Sequence, residues 1–272
     1  MGKKRTPSPY TARTADKYEL YQLSVQSPEP DIAFLRRVYK QARARPAHHF
    51  REDFCGTALL TSEWIRGCKS CTAEGFDIDP EPLGWGRKHN LGPLGNASSR
   101  ATLHEADVRE PSQQPPDVRC AQNFSYWIFT QRSELLDYFH GVRADLAEEG
   151  LFVLDIHGGP ECMEELEEET EHEEGFSYIW DQSEFSPVTH ATKCYIHFRF
   201  PDGTEMKNAF RYNWRLWSLP ELRDVLTDAG FDRIDVYWEG TAEDGESGNG
   251  IYRKTRLGEN DTSWVSYIVA LK

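Results

Sequence analysis

The chain has 272 residues, of which 38% are apolar and 28% are charged. This composition suits one large globular domain, or one domain that carries a sizeable insertion. The formal net charge is −14, and a field of this sign repels the phosphate backbone of nucleic acids. The sequence contains neither a secretory signal nor an apolar run of the roughly 20 residues that a membrane span needs. We therefore expect a cytoplasmic protein without a membrane or nucleic-acid partner.

The six cysteines are scattered through a chain that is large enough to fold without disulfides. We expect them to be reduced. Cys68 and Cys71 have the spacing of a CxxC pair, but no second pair and no paired histidines follow at the spacing of a zinc site. We therefore expect no metal site. A loop that happens to contain two cysteines is the simpler interpretation, and a redox pair is the alternative.

The N-terminal part of the chain divides into a tail and two helices. Residues 1–14 are basic and rich in Pro and Ser, which predicts a disordered tail. Apolar side chains at helical spacing then predict two cap helices within residues 15–48. Tyr18 and Tyr21 lie on one stripe of the first of these helices.

Strands and helices alternate from residue 49 to residue 160 and again from residue 218 to residue 272. Asp79 with Pro80 is a helix start, and Ser218 with Glu221 is a capping box that starts another helix. The alternation predicts an α/β fold, with a Rossmann-like open sheet of seven mostly parallel strands and helices on both faces. Residues 241–250 are predicted to be a mobile loop.

Residues 161–217 interrupt this alternation and are predicted to form an inserted antiparallel β lid of three or four strands. The insertion begins with nine Glu in the fourteen residues 161–174, which we interpret as a solvated helical face. Its later segments alternate polar and apolar residues with the period of a strand. One strand face carries Phe210 and Tyr212, and the other carries Arg211. The sequence leaves open which face lines a site and whether the lid has a core of its own.

Polar or small residues follow four of the predicted strands, where open α/β sheets bind their ligands. A small-residue turn at 52–58 allows a close backbone approach to a ligand. Asp77 follows the second strand and can accept hydrogen bonds from two vicinal ribose hydroxyls. Asp107 follows the third strand and can accept a hydrogen bond from an exocyclic adenine amine. Asn123 starts the loop after the fourth strand.

These segments resemble the class I S-adenosylmethionine-dependent methyltransferase family. EDFCGTALL at 52–60 is similar to the family's first motif, FDIDPEPLGWGRKHN at 76–90 to the second, and HEADVRE at 104–110 to the third. LAEEGLFVLDIHGG at 146–159 resembles the segment before the fifth strand, and LPELRDVLTDAGFDRIDVY at 219–237 the segment before the last two strands. The first motif departs from the family at Phe54 and Ala58, where glycines are usual. These departures argue against a dinucleotide, whose pyrophosphate needs the closest backbone approach.

The resemblance implies S-adenosylmethionine as the cofactor and assigns residues to its site. The implied cofactor-binding residues are Tyr18, Tyr21, Arg51, Glu52, Phe54, Cys55, Gly56, Thr57, Asp77, Ile78, Asp107, Val108 and Asn123. Of these, Glu52 would contact the ammonium of the cofactor. Arg51, Tyr18 and Tyr21 would contact its carboxylate. Packing is the alternative for the tyrosines, and a surface cation the alternative for Arg51.

Methyl transfer from a sulfonium is an in-line displacement, for which the protein mainly supplies proximity and orientation. Three residues are candidates for contacts with the acceptor or for catalysis: Tyr126, His157 and Arg211. A core tyrosine and a structural histidine are the alternatives for the first two.

The sequence thus predicts a methyltransferase that acts on a small-molecule acceptor, and a homodimer stays open. The alternatives are a protein or RNA methyltransferase and a non-catalytic partner subunit that binds S-adenosylmethionine. A nicotinamide oxidoreductase is disfavoured because the GxGxxG motif is missing.

Overall fold

The computed structural model describes residues 10–242 and 248–272. The chain forms two compact units. The large unit consists of Ser27–Glu161 and Trp217–Lys272, and the small unit of the described residues up to Gln26 together with Cys162–Leu216. Each unit has its own β-sheet.

The α-helices of the described residues are α1 (Lys17–Val25), α2 (Pro28–Arg43), α3 (Leu59–Arg66), α4 (Pro80–Gly86), α5 (Arg132–Asp145) and α6 (Leu219–Asp228). Shorter 3-10 or π segments lie at Arg87–Leu91, Gly92–Arg100, Ser125–Ile128 and Pro160–Met163. The strands are β1 (His49–Asp53), β2 (Thr72–Asp77), β3 (Ala101–Glu105), β4 (Val118–Ala121), β5 (Leu151–Gly158), β6 (Leu166–His172), β7 (Phe176–Phe185), β8 (Ala191–Arg199), β9 (Glu205–Arg215), β10 (Arg233–Thr241), β11 (Gly248–Thr255) and β12 (Trp264–Leu271).

The sheet of the large unit has eight strands in the order β11-β10-β12-β5-β4-β1-β2-β3. The five strands from β5 to β3 are parallel, so their carboxyl ends lie at one edge, which we call the carboxyl edge. β12 is antiparallel to β5, and its first residue, Trp264, pairs with Gly158 at that edge. The prediction of a mostly parallel α/β sheet is confirmed, with one strand more than expected. The extra strand, β11, begins at Gly248, inside the segment that was predicted as a mobile loop.

Apolar side chains from helices pack against both faces of this sheet. On one face, α2 and α3 pack against the strands, and Phe50 stacks on Trp64 with ring centroids 4.8 Å apart. On the other face, Phe139 of α5 packs against Phe152, with ring centroids 5.8 Å apart. Because β5 is covered on both faces, its first six residues are all buried.

The small unit is an antiparallel sheet in the order β6-β7-β8-β9, as the insertion was predicted to be. The Glu-rich segment is not helical as expected, since Leu166–His172 is the strand β6. Its Glu side chains are solvated, and its backbone pairs with β7. The backbone hydrogen bonds of the ladder have therefore prevailed over the helical preference of glutamate.

The N-terminal segment also differs from the expectation. Residues 1–9 of the predicted disordered tail lie outside the described residues. Residues 10–14 form a turn, in which Tyr10 meets Phe176 edge-on and the Ala12 amide donates to Thr204. The two predicted cap helices belong to different units, α1 to the small unit and α2 to the large one.

Cys68 and Cys71 form a disulfide, so the expectation of six reduced cysteines is wrong for this pair. The other four cysteines are free and buried. Within the described residues, no helix is long and apolar enough to cross a membrane.

Candidate cofactor site at the carboxyl edge

The turn between β1 and α3 has a left-handed backbone at three alternating positions. Phe54, Gly56 and Ala58 have φ values of 54°, 49° and 56°. Phe54 and Ala58 therefore adopt the conformation that the family's glycines would adopt more readily. The Ala58 amide donates to the Cys55 carbonyl at 2.6 Å and closes the turn. The predicted turn is thus formed, although two glycines are replaced.

The turn offers backbone on one side and is packed on the other. A Cβ atom placed on Gly56 would meet nothing within 4 Å, so the backbone is open to a ligand there. Cys55 is buried, and the carbonyl oxygen of Thr57 accepts a 2.8 Å hydrogen bond from Asn90. The buried Cys55 side chain and the Thr57 carbonyl therefore anchor the turn, while Gly56 presents its backbone.

Asp77 connects the end of β2 to this turn. Its Oδ2 atom accepts a 2.7 Å hydrogen bond from the Gly56 amide, and its Oδ1 atom accepts one from the Asp79 amide at 2.9 Å. Burial raises the pKa of Asp77, and the two amide donors oppose the shift. The next side chain, Ile78, is apolar and 74% exposed. A carboxylate that is held by the turn thus stands beside an exposed apolar surface.

Asp107 lies beyond β3 and is paired with Arg109. Its Oδ2 atom accepts from the Arg109 guanidinium at 2.6 Å, and its Oδ1 atom accepts from the same side chain and from the Arg109 amide. The hydrogen bonds from Arg109 hold the pKa of Asp107 below its usual value. An adenine amine would therefore share this carboxylate with Arg109, a residue that the sequence analysis did not single out.

Glu52 has a different place from the one predicted. It is 4% exposed, and its Oε2 atom accepts hydrogen bonds from the amide and the hydroxyl of Thr61 at 2.8 and 2.6 Å. Thr61 is in the first turn of α3, so the carboxyl group satisfies a free N–H group at the start of that helix. Burial raises the pKa of Glu52 to about 8. These contacts support α3 and give no surface to a cofactor ammonium.

Arg51 is not a surface cation and has no surface to offer a cofactor carboxylate. Its side chain is fully buried, and its guanidinium donates to Asp53 at 2.7 Å and to the Val108 carbonyl at 2.6 Å. Arg119, the neighbour of Arg51 on β4, binds the same Asp53 and the same carbonyl. Asp145 accepts from both guanidinium groups.

This group of Arg51, Asp53, Arg119 and Asp145 is a buried ion network that the sequence analysis missed. It fixes the backbone of Val108, whose side chain is buried as well. The signal in the sequence was weak, because Arg119 stands in the short strand VRCA, whereas β1 has the mostly polar sequence HFRED.

The loop after β4 is held by a carboxylate from β5. Asn123 and Phe124 both have φ values of 56°, and their amides donate to the two carboxylate oxygens of Asp155 at 2.7 and 3.0 Å. Burial raises the pKa of Asp155 to about 7. Asp155 was not among the predicted site residues, although an acid inside the apolar segment LFVLDIH was a visible signal.

Tyr126 is not available to an acceptor, so its predicted catalytic role is wrong. It is fully buried, and its hydroxyl donates to the Asp155 carbonyl at 2.8 Å. Burial raises its pKa well above the usual value. The alternative of a core tyrosine holds.

His157 lies near the end of β5 and is partly exposed at the carboxyl edge. Its Nε2 atom is 3.1 Å from the Ser263 hydroxyl, and its ring lies 5.9 Å from that of Phe124. Burial lowers its pKa. A neutral imidazole at this position can accept a proton.

The remaining predicted residues lie in the small unit. Tyr18 and Tyr21 of α1 pack on Phe210, with ring centroids 6.0 and 4.8 Å away. The aromatic face of β9 therefore belongs to a small core with Leu20 and Phe198. Arg211 is on the opposite, exposed face and pairs across the sheet with Tyr195.

Comparisons with known proteins give a fold and no sequence family. No family model matches the chain, and no curated protein matches it.

Solved structures do resemble it. One is an S-adenosylmethionine-dependent methyltransferase from Clostridium acetobutylicum, with a TM-score of 0.68, 13% identity, and coverage of 93% of this chain and 96% of that one. Another is an amino pentose methyltransferase from Micromonospora echinaspora that is involved in calicheamicin biosynthesis. It was solved with S-adenosylmethionine bound and has a TM-score of 0.67, 17% identity, and coverage of 94% and 97%.

A third structure is a sugar N-methyltransferase from a Streptoalloteichus species, with a TM-score of 0.62, 15% identity, and coverage of 100% and 98%. Identities this low bear on the fold and leave the substrate open. The chain has the fold of the class I S-adenosylmethionine-dependent methyltransferases.

Proposed function

We propose that the protein is a methyltransferase that binds S-adenosylmethionine and methylates a small-molecule acceptor. The observation that carries the proposal is the arrangement at the ends of β1 and β2. There Asp77 accepts a hydrogen bond from the Gly56 amide, beside the exposed side chain of Ile78. The solved methyltransferases with this fold support the same conclusion.

The residues present fit a nucleoside that carries no phosphate. The Gly56 and Asp79 amides donate to different oxygens of Asp77, and a carboxylate has about four acceptor positions, so acceptor capacity is left for the ribose hydroxyls. Ile78 offers an apolar surface for the flat face of adenine. Phe54 stands where a glycine would allow the closest backbone approach, which disfavours a pyrophosphate. Asp107 would add an acceptor for the base, in competition with Arg109.

When bound, the cofactor supplies an electrophilic methyl group on a sulfonium. The chain's own part is to orient the acceptor and to take up its proton. His157 suits the second task, because burial lowers its pKa and so favours the neutral imidazole, and the residue is partly exposed at the carboxyl edge. An acceptor that is protonated in water, such as an amine, would need this base most.

An amino group on a sugar is the acceptor that the comparisons favour. Two of the similar structures are an amino pentose methyltransferase and a sugar N-methyltransferase. We therefore place amino sugars first among the acceptors to be screened, ahead of phenols and carboxylic acids.

Calorimetric titration of the purified protein with S-adenosylmethionine and S-adenosylhomocysteine, with NAD as the control ligand, tests the cofactor. We expect both S-adenosyl compounds to bind and NAD not to bind. Asp77→Ala should weaken the binding of S-adenosylmethionine at least about tenfold, since it removes a charge-assisted hydrogen bond. Asp79→Ala removes the cap of α4 and a neighbouring negative charge, but its backbone amide still donates to Asp77, so the affinity should be nearly unchanged.

Equal affinity of Asp77→Ala and the unchanged protein would refute the ribose assignment, and preference for NAD would refute the cofactor. A second assay follows methyl transfer to the panel of acceptors. Tight cofactor binding without transfer to any of them would favour the alternative of a non-catalytic partner subunit.

A further inference from the structure

A cavity of about 390 Å³ lies in the large unit, between the second half of α2 and the sheet. Its floor is the face of β10 and β12, and Lys254 of β11 stands on its rim. Arg233, the first residue of β10, pairs with Leu271 at the end of β12, and Leu271 pairs with Leu151 at the start of β5. The cavity is therefore at the amino end of the parallel strands, away from the carboxyl edge and the cofactor site proposed there.

We propose that this cavity is a binding site for a phosphate monoester with an apolar or aromatic body. Its volume falls in the range of small-molecule sites. Its lining combines clustered cations with a partly exposed tyrosine, Tyr252, and these two properties together select such a ligand.

The cations are the first part of the argument. Arg37, Arg233 and Lys254 line the cavity, and Asp235 is the one carboxylate among the described lining residues. Arg253 also borders the cavity, but it pairs with Trp238, so its side chain lies on the opposite face of the sheet. A net charge of −14 makes a local excess of positive charge unusual in this molecule. A phosphate monoester carries about −1.5 to −2 at neutral pH, which matches such an excess.

The arrangement around Asp235 keeps the cations ready for a ligand. Asp235 is buried and accepts from Arg233 at 2.6 Å and from Lys254 at 2.7 Å. The Arg233 and Lys254 side chains are themselves 55% and 45% exposed. The carboxylate thus fixes the position of two cationic groups that still face water. A guanidinium held in this way loses less freedom when it binds an anion.

The floor is the second part of the argument. Val38, Val269 and Leu271 are almost fully buried, but Tyr252, another lining residue, is partly exposed. Inorganic phosphate would leave the exposed part of Tyr252 uncovered, whereas an organic body attached to the phosphate would pack against it.

Calorimetric titration of the full chain with phenyl phosphate tests the proposal, with inorganic phosphate and phenol as the two partial probes. We expect saturable binding of phenyl phosphate and much weaker binding of either partial probe. Arg233→Gln and Lys254→Gln should each weaken the binding of phenyl phosphate about tenfold. Arg223→Gln, on the exposed face of α6, makes the same change of charge elsewhere and should have no effect.

A further variant tests the cavity without a change of charge. Ala42 is exposed on α2 and lines the cavity, so Ala42→Trp should fill it and abolish binding. Thermal unfolding reports whether each variant is folded, and Lys254→Gln decides the outcome if Arg233→Gln is not. The proposal is overturned if phenyl phosphate does not saturate, if inorganic phosphate or phenol binds equally well, or if Arg223→Gln weakens binding as much as Arg233→Gln.

Discussion

Phe54 and Ala58 show how individual residues in the first motif depart from the family pattern without loss of the turn. A left-handed backbone costs a non-glycine residue about 1–2 kcal/mol. The ring of Phe54 packs edge-on against Phe129 and Tyr138, with ring centroids 6.1 and 6.0 Å away. This packing offsets the cost of the left-handed backbone. The sequence motif alone indicated a turn, but these compensating contacts come from distant parts of the chain.

Glu52 gives a prediction on stability. Its folded-state pKa of about 8 lies above the ordinary value of 4.5, so the folded protein favours the protonated form. The contribution to stability is complete below the ordinary pKa and is lost as the pH rises through about 8. Glu52→Gln removes the charge, and its amide oxygen can still accept both hydrogen bonds from Thr61. We expect the variant to be more stable than the unchanged protein at pH 8, by about 2 kcal/mol.

Urea unfolding at about pH 5.5 and about pH 8 measures this difference. The free energy of unfolding should fall less between the two pH values in the variant. Burial of Asp155 adds a similar but smaller dependence, which remains in both proteins. Glu148→Gln, at an exposed position, should behave like the unchanged protein. Parallel pH curves for Glu52→Gln and the unchanged protein would contradict the role of Glu52.

His157 gives a prediction on catalysis, which rests on the proposed function. If its imidazole accepts a proton from the acceptor, kcat should rise with pH through the lowered pKa of His157 and then level off. His157→Gln should lower kcat about 100-fold and remove this rise. His140→Gln, on the exposed face of α5, is the matched control. A pH profile that is unchanged in His157→Gln would exclude the residue as the base.

At the scale of elements, α2 allows a prediction with opposite signs at two positions. Ala44 ends the helix with a φ of 56° and is exposed, whereas Ala33 is exposed within the helix. Ala44→Gly should stabilise the protein by up to about 1 kcal/mol, because glycine adopts the left-handed conformation without strain. Ala33→Gly should destabilise it by about 1 kcal/mol. Equal effects at both positions in chemical denaturation would contradict this explanation of the helix end.

The elements themselves were largely predictable, since hydrophobic periodicity and capping residues mark them locally. Ser218 and Glu221 form the expected capping box, and Asp79 caps α4. The failures have a common cause in tertiary pairing. β6 and β11 are strands because each pairs with a neighbouring strand. Neither segment carries a local sequence pattern that indicates which strand it pairs with.

At the scale of the whole molecule, the two units have separate cores. A mutation can therefore destabilise one core directly. Phe198 is fully buried in the core of the small unit, whereas Tyr195 of the same strand faces the other way and is partly exposed. Phe198→Ala should cost about 3–4 kcal/mol of stability, and Tyr195→Ala about 1 kcal/mol or less. Hydrogen exchange should show the loss of protection in β7, β8 and β9. Similar losses in both variants would argue against a core on the Phe198 face alone.

The position of Asp77 at the end of β2, beside the turn, was predictable because it depends on its own strand, while its role in binding ribose stays a prediction. The candidate site was not predictable where a role depends on distant partners. Arg51 was assigned to a cofactor, but Asp145, which lies 94 positions away, binds its guanidinium within the fold. Tyr126 was assigned to the acceptor, but its hydroxyl is used by the backbone of β5. Burial and pairing decide these roles, and neither can be read from local sequence.

The position of β6 at the border of the small sheet gives a reason for the Glu-rich segment. A border strand has unpaired backbone groups that can recruit the same strand of another molecule. β6 carries Glu167, Glu168, Glu169 and Glu171, and two such strands brought side by side would place like charges against each other. The segment would then protect against aggregation. Replacement of these glutamates by threonine, which favours strands, should leave the fold intact and make concentrated solutions prone to fibrils.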